Sequence, residues 1–182
     1  MKIVLASNSP RRRELLKNAG VNFVVIPSDY AEPKYNDLPP CQYAEELAYG
    51  KANAVYNKHG GVVIGADTIV VLNGKVLGKP KDEAEAVLML KSLSNNVHEV
   101  ITGYAVISEK GVKKGFEVTK VSFNNLSDKT ILDYVASGSP LDKAGAYGIQ
   151  DGWNLVNDIQ GDYDNVVGLP TGKIIQLLKE FL

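Results

Sequence analysis

The stretch VVIGADTIVVLNGKVL, residues 62–77, contains the most informative local pattern of the chain. Its apolar run over residues 62–72 predicts a strand, which the charged side chain of Asp67 interrupts. Asn73-Gly74 is the dipeptide most typical of a short hairpin turn, and it returns the chain into residues 75–77. We therefore predict an antiparallel hairpin here, which a fully parallel sheet does not contain.

Strands and helices are predicted on both sides of this hairpin, in an irregular alternation. Further strands are predicted at residues 3–6, 21–26, 99–108 and 116–123, and helices at residues 11–19, 42–58, after Asp82, after Ser127 and at 171–182. The helical side chains predicted to face inward include Leu15, Leu16, Ala19, Ile131, Leu132, Val135, Ile174, Ile175, Leu178, Phe181 and Leu182. Because hairpins occur among strand–helix steps, we predict a mixed sheet of the α/β (α+β) class with flanking helices.

The composition excludes several classes of protein. The 182 residues are 45% hydrophobic and 23% charged, which excludes a disordered tail, a collagen-like fibre and a disulfide scaffold. Twenty basic and twenty-one acidic side chains leave a net charge of −1, so a basic surface for duplex nucleic acid is not expected. Cys41 is the single cysteine, and no apolar run reaches the roughly 18 residues that span a bilayer. We expect a soluble, cytoplasmic protein without a membrane partner.

Three consecutive arginines follow a predicted helix start. Ser9 is a good N-cap and Pro10 suits the first helical position, so Arg11–Arg13 occupy the second to fourth positions. The positive end of the helix dipole disfavours cations there by roughly 0.3–1 kcal/mol each. Free backbone N–H groups and guanidinium groups together form an anion site, and a phosphate would reverse that penalty. The alternative is a solvated basic surface turn.

Two carboxylates are candidates for acid–base or metal chemistry. Asp67 interrupts an apolar strand, where an ionised carboxylate is costly unless it is paired, hydrogen-bonded or metal-bound. It is predicted to act as a base toward water or as a ligand of Mg²⁺ or Mn²⁺, and the alternative is a strand-end Asp that accepts backbone hydrogen bonds. Glu32, in a proline-rich loop, is a second candidate or an ordinary surface residue.

Lysines complete the candidate set. Lys51, Lys79 and Lys143 could contact phosphate or could be solvated surface residues, and Pro80 restricts the backbone of Lys79 to an extended conformation. His59 and His98 form no recognisable arrangement with a nucleophile. The residues alone therefore indicate a phosphate-ester pocket with a carboxylate and a divalent cation, without naming the reaction.

Six motifs resemble one known family over nearly the whole chain. They are SNSPRRRELL (7–16), GADTIV (65–70), GKP (78–80), HEVITG (98–103), DKAGAYGIQ (142–150) and NVVGLP (165–170). This pattern resembles the Maf family, the septum-formation-inhibitor-like nucleoside triphosphate pyrophosphatases. The resemblance implies one Maf-like domain over residues 1–182, with an inosine-triphosphate-pyrophosphatase-like fold: an elongated mixed sheet with helices, in two lobes around a central cleft.

The resemblance also implies a reaction and site residues. The reaction is hydrolysis of a nucleoside triphosphate to the monophosphate and diphosphate with Mg²⁺ or Mn²⁺, and a homodimer is expected. Asp67 matches the catalytic proton acceptor. Arg11, Thr68 and Gln150 match specificity positions of the branch that prefers dTTP and UTP, including modified pyrimidine nucleotides. Phosphate-side positions match Ser7, Arg12, Lys51 and Lys79, and metal-side positions match Glu32 and Asp67.

Two residues depart from the family pattern, and the sequence also leaves two alternative functions open. Asn95 and Asp151 stand where the family commonly has Gly, and Asp151 directly follows Gln150. The implied cellular function is sanitation of the nucleotide pool and arrest of cell division. The alternatives are a non-catalytic nucleotide sensor that regulates septum formation, and a phosphatase that releases single phosphates.

Overall fold

The structure is a computed structural model that describes residues 1–182 and contains one seven-stranded sheet with helices. The strands are β1 (Ile3–Leu5), β2 (Val24–Val25), β3 (Val62–Leu72), β4 (Lys75–Leu77), β5 (Val97–Ser108), β6 (Gly111–Phe123) and β7 (Val156–Gln160). The helices are α1 (Pro10–Asn18), α2 (Pro40–His59), α3 (Glu83–Leu93), α4 (Asp128–Ala136), α5 (Tyr163–Val167) and α6 (Thr171–Phe181). Short 3₁₀ segments follow α4 at Ser139–Asp142, Ala144–Ala146 and Ile149–Asp151.

The sheet is mixed, as the sequence predicts. Its strand order is β2-β1-β3-β5-β6-β7, with β4 paired to β3. β1 runs parallel to both β2 and β3, whereas β3–β4 and β6–β7 are antiparallel. The mixed α/β class is therefore confirmed.

The hairpin at residues 62–77 has the predicted form. β3 and β4 end and begin on either side of Asn73-Gly74, and Val71 pairs with Val76. Asn73 and Gly74 have φ values of 50° and 77°. Two successive positive φ angles are what a type I′ turn requires, and this is the physical reason for the Asn-Gly preference.

The chain divides into two compact units. The first unit comprises Met1–Thr68, Thr102–Glu117 and Gly168–Leu182, and the second unit comprises Ile69–Ile101 and Val118–Val167. Each has its own apolar core, with Leu16, Ile64 and Leu169 fully buried in the first unit. Leu90, Ile131 and Tyr134 are at most 2% exposed in the second unit. Two lobes are thus present, and the cleft between them stays a prediction.

Helix α2 packs unusually close to the sheet of the first unit. A Cβ atom at Gly65 of β3 would lie 2.3 Å from the carbonyl oxygen of Ala48, and one at Gly103 of β5 would lie 2.0 Å from that of Ala44. Both distances are shorter than any real contact, so only glycine fits there. These two glycines let α2 approach β3, and the approach brings Lys51 of α2 to Asp67 of β3.

Three helix N-caps predicted from the sequence are present. The side chains of Ser9, Asp82 and Ser127 each accept a hydrogen bond from the backbone N–H three residues later, at 3.4, 2.8 and 3.1 Å respectively. Gly20, with φ 76°, follows the end of α1 in the left-handed conformation that glycine favours. Each cap accepts a hydrogen bond from a backbone N–H group that the helix itself leaves free. For this reason the starts of these helices could be predicted from the sequence.

Several expectations were wrong in detail. β2 covers only Val24–Val25 rather than residues 21–26. Leu132 is 56% exposed and Leu182 is 60% exposed, although both were expected to face inward. In α4 the buried side chains are those of Ile131, Tyr134 and Val135. That is the i, i+3, i+4 spacing of one helix face, from which Leu132 is turned by about 100°. None of the helices combines the length and the apolar character needed to span a bilayer.

Candidate active site

Asp67 lies on β3, next to the buried backbone of Ala66. Its side chain is 13% exposed, and its carboxylate contacts Lys51 Nζ in a close ion pair. A carboxylate at this depth requires such a partner, because burial without one would favour the neutral acid. The partner comes from α2, sixteen residues earlier in the chain.

Lys51 also pairs with a second carboxylate, that of Glu32. Its ammonium lies 2.8 Å from Glu32 Oε1, and the Lys51 side chain is 17% exposed against 50% for Glu32. The same two carboxylates add to burial in raising the pKa of the Tyr43 hydroxyl. Glu32 and Asp67, both predicted as metal-side residues, are therefore brought together around one cation.

Gly50 of α2 shapes the loop that carries Glu32. A Cβ atom at Gly50 would lie 2.2 Å from Tyr30 Cζ, so the Tyr30 ring occupies the space that a side chain would need. Tyr30 and Glu32 belong to the same loop, and Lys51 is the next residue of α2. The glycine thus allows the loop to lie against α2 at the point where Glu32 reaches Lys51.

Arg12 of α1 is held by neutral oxygen atoms. Its Nε donates to the carbonyl oxygen of Gly168 at 2.7 Å, Nη1 donates to Ser7 Oγ at 3.3 Å, and Nη2 donates to Thr68 Oγ1 at 3.0 Å. Burial is the main cause that lowers the Arg12 pKa, the charge of Arg11 adds to this, and the charge of Asp67 opposes it. The guanidinium is therefore oriented without an ion-pair partner among its hydrogen-bond acceptors.

The Thr68 hydroxyl takes part in this arrangement. It lies 2.9 Å from the hydroxyl of Thr102, which is fully buried on β5, and 3.4 Å from the Gly168 carbonyl oxygen. Thr68 was predicted as a specificity residue, and the structure places its hydroxyl on Arg12. Ser7, predicted on the phosphate side, is buried and also contacts Arg12.

The three arginines have different surroundings. Arg12 is directed toward Ser7 and Thr68. Arg13 is exposed and lines an open surface groove with Lys17 and Phe23. Arg11, a predicted specificity residue, is partly exposed and close enough to lower the Arg12 pKa.

Lys79 and Gln150 belong to the second unit. Lys79 is exposed just after β4, and Gln150 is exposed in the 3₁₀ segment Ile149–Asp151. Lys143, the third candidate lysine, is buried and donates to the carbonyl oxygen of Ser139 at 2.6 Å. Its surroundings are therefore those of a structural lysine rather than a solvated one.

The residues around Lys51 fit a divalent cation that is completed by substrate. No group of three or more His, Cys, Asp or Glu side chains is placed to hold a metal ion. Glu32 and Asp67 nevertheless converge on one cationic atom, Lys51 Nζ. Mg²⁺ in proteins is commonly bound by one or two carboxylates, with phosphate oxygens and water as the other ligands. This donor pair meets that requirement.

Two contributors to the site were not found from the sequence. Thr102 and the carbonyl oxygen of Gly168 both hold the Arg12–Thr68 pair. Gly168 has φ 135°, a conformation that favours glycine. Both residues lie in motifs quoted above, HEVITG and NVVGLP, but spacing alone does not show that the motifs meet at Arg12.

Comparisons with known proteins agree with this structure. The family described as Maf-like protein matches residues 2–181. A dTTP/UTP pyrophosphatase of Alkaliphilus oremlandii is 53% identical over 98% of this chain and 95% of the relative. One from Thermococcus onnurineus is 51% identical over 98% and 96%, and one from Clostridium tetani is 49% identical over 99% and 97%.

Solved structures show the same fold at low sequence identity. The Staphylococcus aureus Ham1 protein aligns over 100% of both chains with a TM-score of 0.56 and 18% identity. A HAM1 protein from Coxiella burnetii aligns over 99% of both chains with a TM-score of 0.55 and 16% identity. The fold class inferred from the sequence resemblance is thereby confirmed.

Proposed function

The chain belongs to the Maf-like protein family, and on this premise we propose that it hydrolyses nucleoside triphosphates, chiefly dTTP and UTP, to the monophosphate and diphosphate. Relatives about half identical to it over nearly their full length are named dTTP/UTP pyrophosphatases. The single observation that carries the proposal is the set of hydrogen bonds made by the Arg12 guanidinium. This group is oriented by three neutral oxygen atoms and lacks an anion among them.

A phosphate group would supply that anion. Arg12 is the third residue of α1, where free backbone N–H groups and the helix dipole also favour negative charge. A guanidinium fixed in advance by Ser7, Thr68 and Gly168 loses little side-chain freedom when it binds phosphate. We propose Ser7, Arg12, Lys51 and, from the second unit, Lys79 as phosphate-binding residues.

Asp67 is proposed as the proton acceptor for water. Water adds to the α phosphorus, the bond from that phosphorus to the bridging oxygen breaks, diphosphate leaves with the bridging oxygen, and one proton of the water passes to Asp67. The Lys51 ammonium pairs with Asp67, the carboxylate to which this proton passes. Positive side chains around the phosphates would stabilise the charge that develops on the leaving diphosphate.

The proposal includes a divalent cation, Mg²⁺ or Mn²⁺, held by Glu32 and Asp67. When bound, such an ion supplies charge neutralisation of the phosphate oxygens. Glu32 and Asp67, which both pair with Lys51, are the residues that would hold such an ion. Glu32 and Asp67 can therefore bind either the Lys51 ammonium or the ion.

Base selection is proposed for Arg11, Thr68 and Gln150. Gln150 is exposed and can offer one donor and one acceptor to the edge of a uracil or thymine. The Thr68 hydroxyl also contacts Arg12. We also propose that the protein accepts modified pyrimidine triphosphates and takes part in sanitation of the nucleotide pool and in arrest of cell division. It is further proposed to be a cytoplasmic homodimer without a duplex nucleic acid partner.

One product assay tests this function against both alternatives. Wild-type protein is incubated with UTP and Mg²⁺, and the products are separated by ion-exchange chromatography. We expect UMP and diphosphate in equal amounts, since one bond is cut per turnover. UDP with phosphate would indicate the phosphatase, and UTP binding without any product would indicate the nucleotide sensor. Asp67→Asn protein, purified identically, controls for contaminating hydrolases.

A further inference from the structure

Gln150 lies between two residues that bind the same phenol. The hydroxyl of Tyr134 accepts a hydrogen bond from the backbone N–H of Gly148 at 3.0 Å and donates one to Asp151 Oδ2 at 2.7 Å. Tyr134 is fully buried on α4, so the phenol is a fixed point. Gln150 itself is exposed, and its side chain makes no hydrogen bond within the chain.

The carboxylate of Asp151 has further partners. Ser139 Oγ donates to Asp151 Oδ2 at 2.7 Å, and Lys143 Nζ lies 3.7 Å from the same oxygen. The Lys143 side chain is 10% exposed and also donates to the carbonyl oxygen of Ser139 at 2.6 Å. One carboxylate oxygen thus ties the segment that carries Gln150 to α4, to the segment Ser139–Asp142 and to a buried ammonium.

The backbone around Gln150 has little regular structure of its own. It forms a 3₁₀ segment of only three residues, Ile149–Asp151, and the next residues, Gly152, Trp153 and Asn154, all have positive φ. A single 3₁₀ turn has poor hydrogen-bond geometry and is not stable alone. The contacts of Asp151 and Tyr134, together with the packing of Ile149 against the core of the second unit, therefore order this segment.

We propose that Asp151 and Tyr134 are positioning residues that hold Gln150 for recognition of the nucleobase. This inference rests on the proposed function and goes beyond it, because it assigns base discrimination partly to residues that do not contact the base. A ligand that hydrogen-bonds to an ordered amide discriminates more sharply than one that meets a mobile amide.

The test compares base discrimination in matched variants, by measuring kcat/KM for UTP and for GTP. Asp151→Ala is expected to lower the UTP-to-GTP ratio of kcat/KM by roughly three- to tenfold. A change of this size corresponds to the free energy of about one hydrogen bond. Tyr134→Phe, which fills the same buried space, is expected to do likewise. Asp151→Asn keeps an acceptor oxygen for Tyr134 and Ser139 and should retain the ratio within about twofold.

Asp133→Ala is the control, since it removes an exposed carboxylate of α4 whose partner is Lys129. It should leave both kcat/KM values unchanged. An equal fall of kcat/KM for UTP and GTP in Asp151→Ala and Tyr134→Phe would show a merely structural effect and overturn the proposal. An unchanged ratio in both variants would also overturn it.

A second measurement does not depend on turnover. Backbone hydrogen exchange over residues 148–151 is expected to be at least about fivefold faster in Asp151→Ala than in wild type, and unchanged in Asp151→Asn. If wild-type protein releases no diphosphate, the proposed function fails, and exchange still tests the positioning. If exchange in Asp151→Ala equals that of wild type, the positioning fails whatever the activity.

Discussion

Lys51 sets the electrostatic environment of Asp67. The pair is mostly shielded from solvent, with side-chain exposures of 17% and 13%. Water screens such a pair less than it screens a surface pair, so the two charges attract each other more strongly than exposed ones do. An ionised Asp67 at neutral pH is what a proton acceptor requires.

Asp67→Asn should abolish diphosphate release while leaving the protein folded. The amide has the same shape but takes up no proton, and general-base catalysis contributes about 10²–10⁴-fold to a rate. We expect kcat for UTP to fall by at least about 100-fold, measured as diphosphate formed at saturating UTP. The matched control is Asp133→Asn, the same change at an exposed carboxylate. Retention of more than about a tenth of wild-type kcat would contradict the assignment.

Thr102→Val tests whether the threonine hydroxyls orient Arg12. Valine keeps the shape of the side chain but removes the hydroxyl that lies 2.9 Å from Thr68 Oγ1. We expect KM to rise by roughly three- to tenfold for UTP and GTP alike, because Arg12 is proposed to bind phosphate, which is the same in both substrates. Thr102→Ser should restore the wild-type KM. A change in preference between UTP and GTP would place Thr102 in base recognition instead.

Helix α2 carries the central lysine, and its packing depends on small residues. Gly65 and Gly103 admit the helix backbone, and Gly50 admits the ring of Tyr30. The sequence predicts this helix over residues 42–58, although a glycine in a helix interior ordinarily weakens the helix. The structure shows that Gly50 is needed for the adjacent loop, which brings Glu32 to Lys51.

Gly50→Ala should therefore impair the enzyme although alanine is the better helix former. Alanine in an exposed helix interior stabilises by up to about 1 kcal/mol over glycine. Here its Cβ would lie 2.2 Å from Tyr30 Cζ, so the ring and the Glu32 loop must move. We expect the Mg²⁺ concentration for half-maximal diphosphate release to rise several-fold.

Gly172→Ala on α6 is the matched control for Gly50→Ala. A Cβ atom at Gly172 would meet nothing within 4 Å. This variant should show the helix-propensity gain of up to about 1 kcal/mol in urea unfolding, with unchanged activity. If both variants are stabilised and both keep wild-type activity, the Tyr30 ring moves aside without displacing Glu32.

Local patterns predicted the secondary structure better than they predicted the site. The hairpin at residues 62–77 and the caps Ser9, Asp82 and Ser127 depend on neighbouring residues, and they were confirmed. β7, α5 and the 3₁₀ segments were not predicted, because they are short and have no clear periodicity. In α4, apolar character alone did not show that Leu132 lies off the buried face.

The partners within the site could not be read from spacing. Asp67 was predicted to need a partner, which the structure shows to be Lys51. Lys51 was a candidate only for phosphate, and nothing in the sequence relates the Glu32 loop to it. Such pairs depend on how α2 packs on the sheet, which is a property of the tertiary structure. The individual functions of the site residues stay predictions until the variants are measured.

The two units contain different parts of the proposed chemistry. The first unit holds the Asp67–Lys51–Glu32 group and Arg12, which are proposed for water activation and phosphate binding. The second unit holds Gln150 with its positioning residues Asp151 and Tyr134. These placements predict that substitutions at Gln150, Asp151 or Tyr134 alter base preference, whereas those at Arg12, Lys51 or Asp67 alter hydrolysis of all triphosphates.

The stability of the whole protein should depend on pH through His98 of the second unit. His98 is 1% exposed, its Nε2 lies 2.6 Å from the Tyr147 hydroxyl, and its Nδ1 has no hydrogen-bond partner. Burial lowers the pKa of His98 to about 4, against 6.5 for an unperturbed histidine. The folded protein therefore holds this imidazole neutral at pH values where the unfolded chain already binds a proton.

The free energy of unfolding should consequently decrease as the pH falls from about 6.5 to about 4, because the unfolded chain binds more protons in this range. At about 1.4 kcal/mol per pKa unit, the full loss due to His98 is roughly 3 kcal/mol. Urea unfolding at pH 7.5, 6, 5 and 4 measures it. His98→Gln should remove most of this slope, leaving that of the carboxylates, whereas His59→Gln, at an exposed histidine, should retain it. Equal slopes in wild type and His98→Gln would show that folding does not lower the pKa of His98.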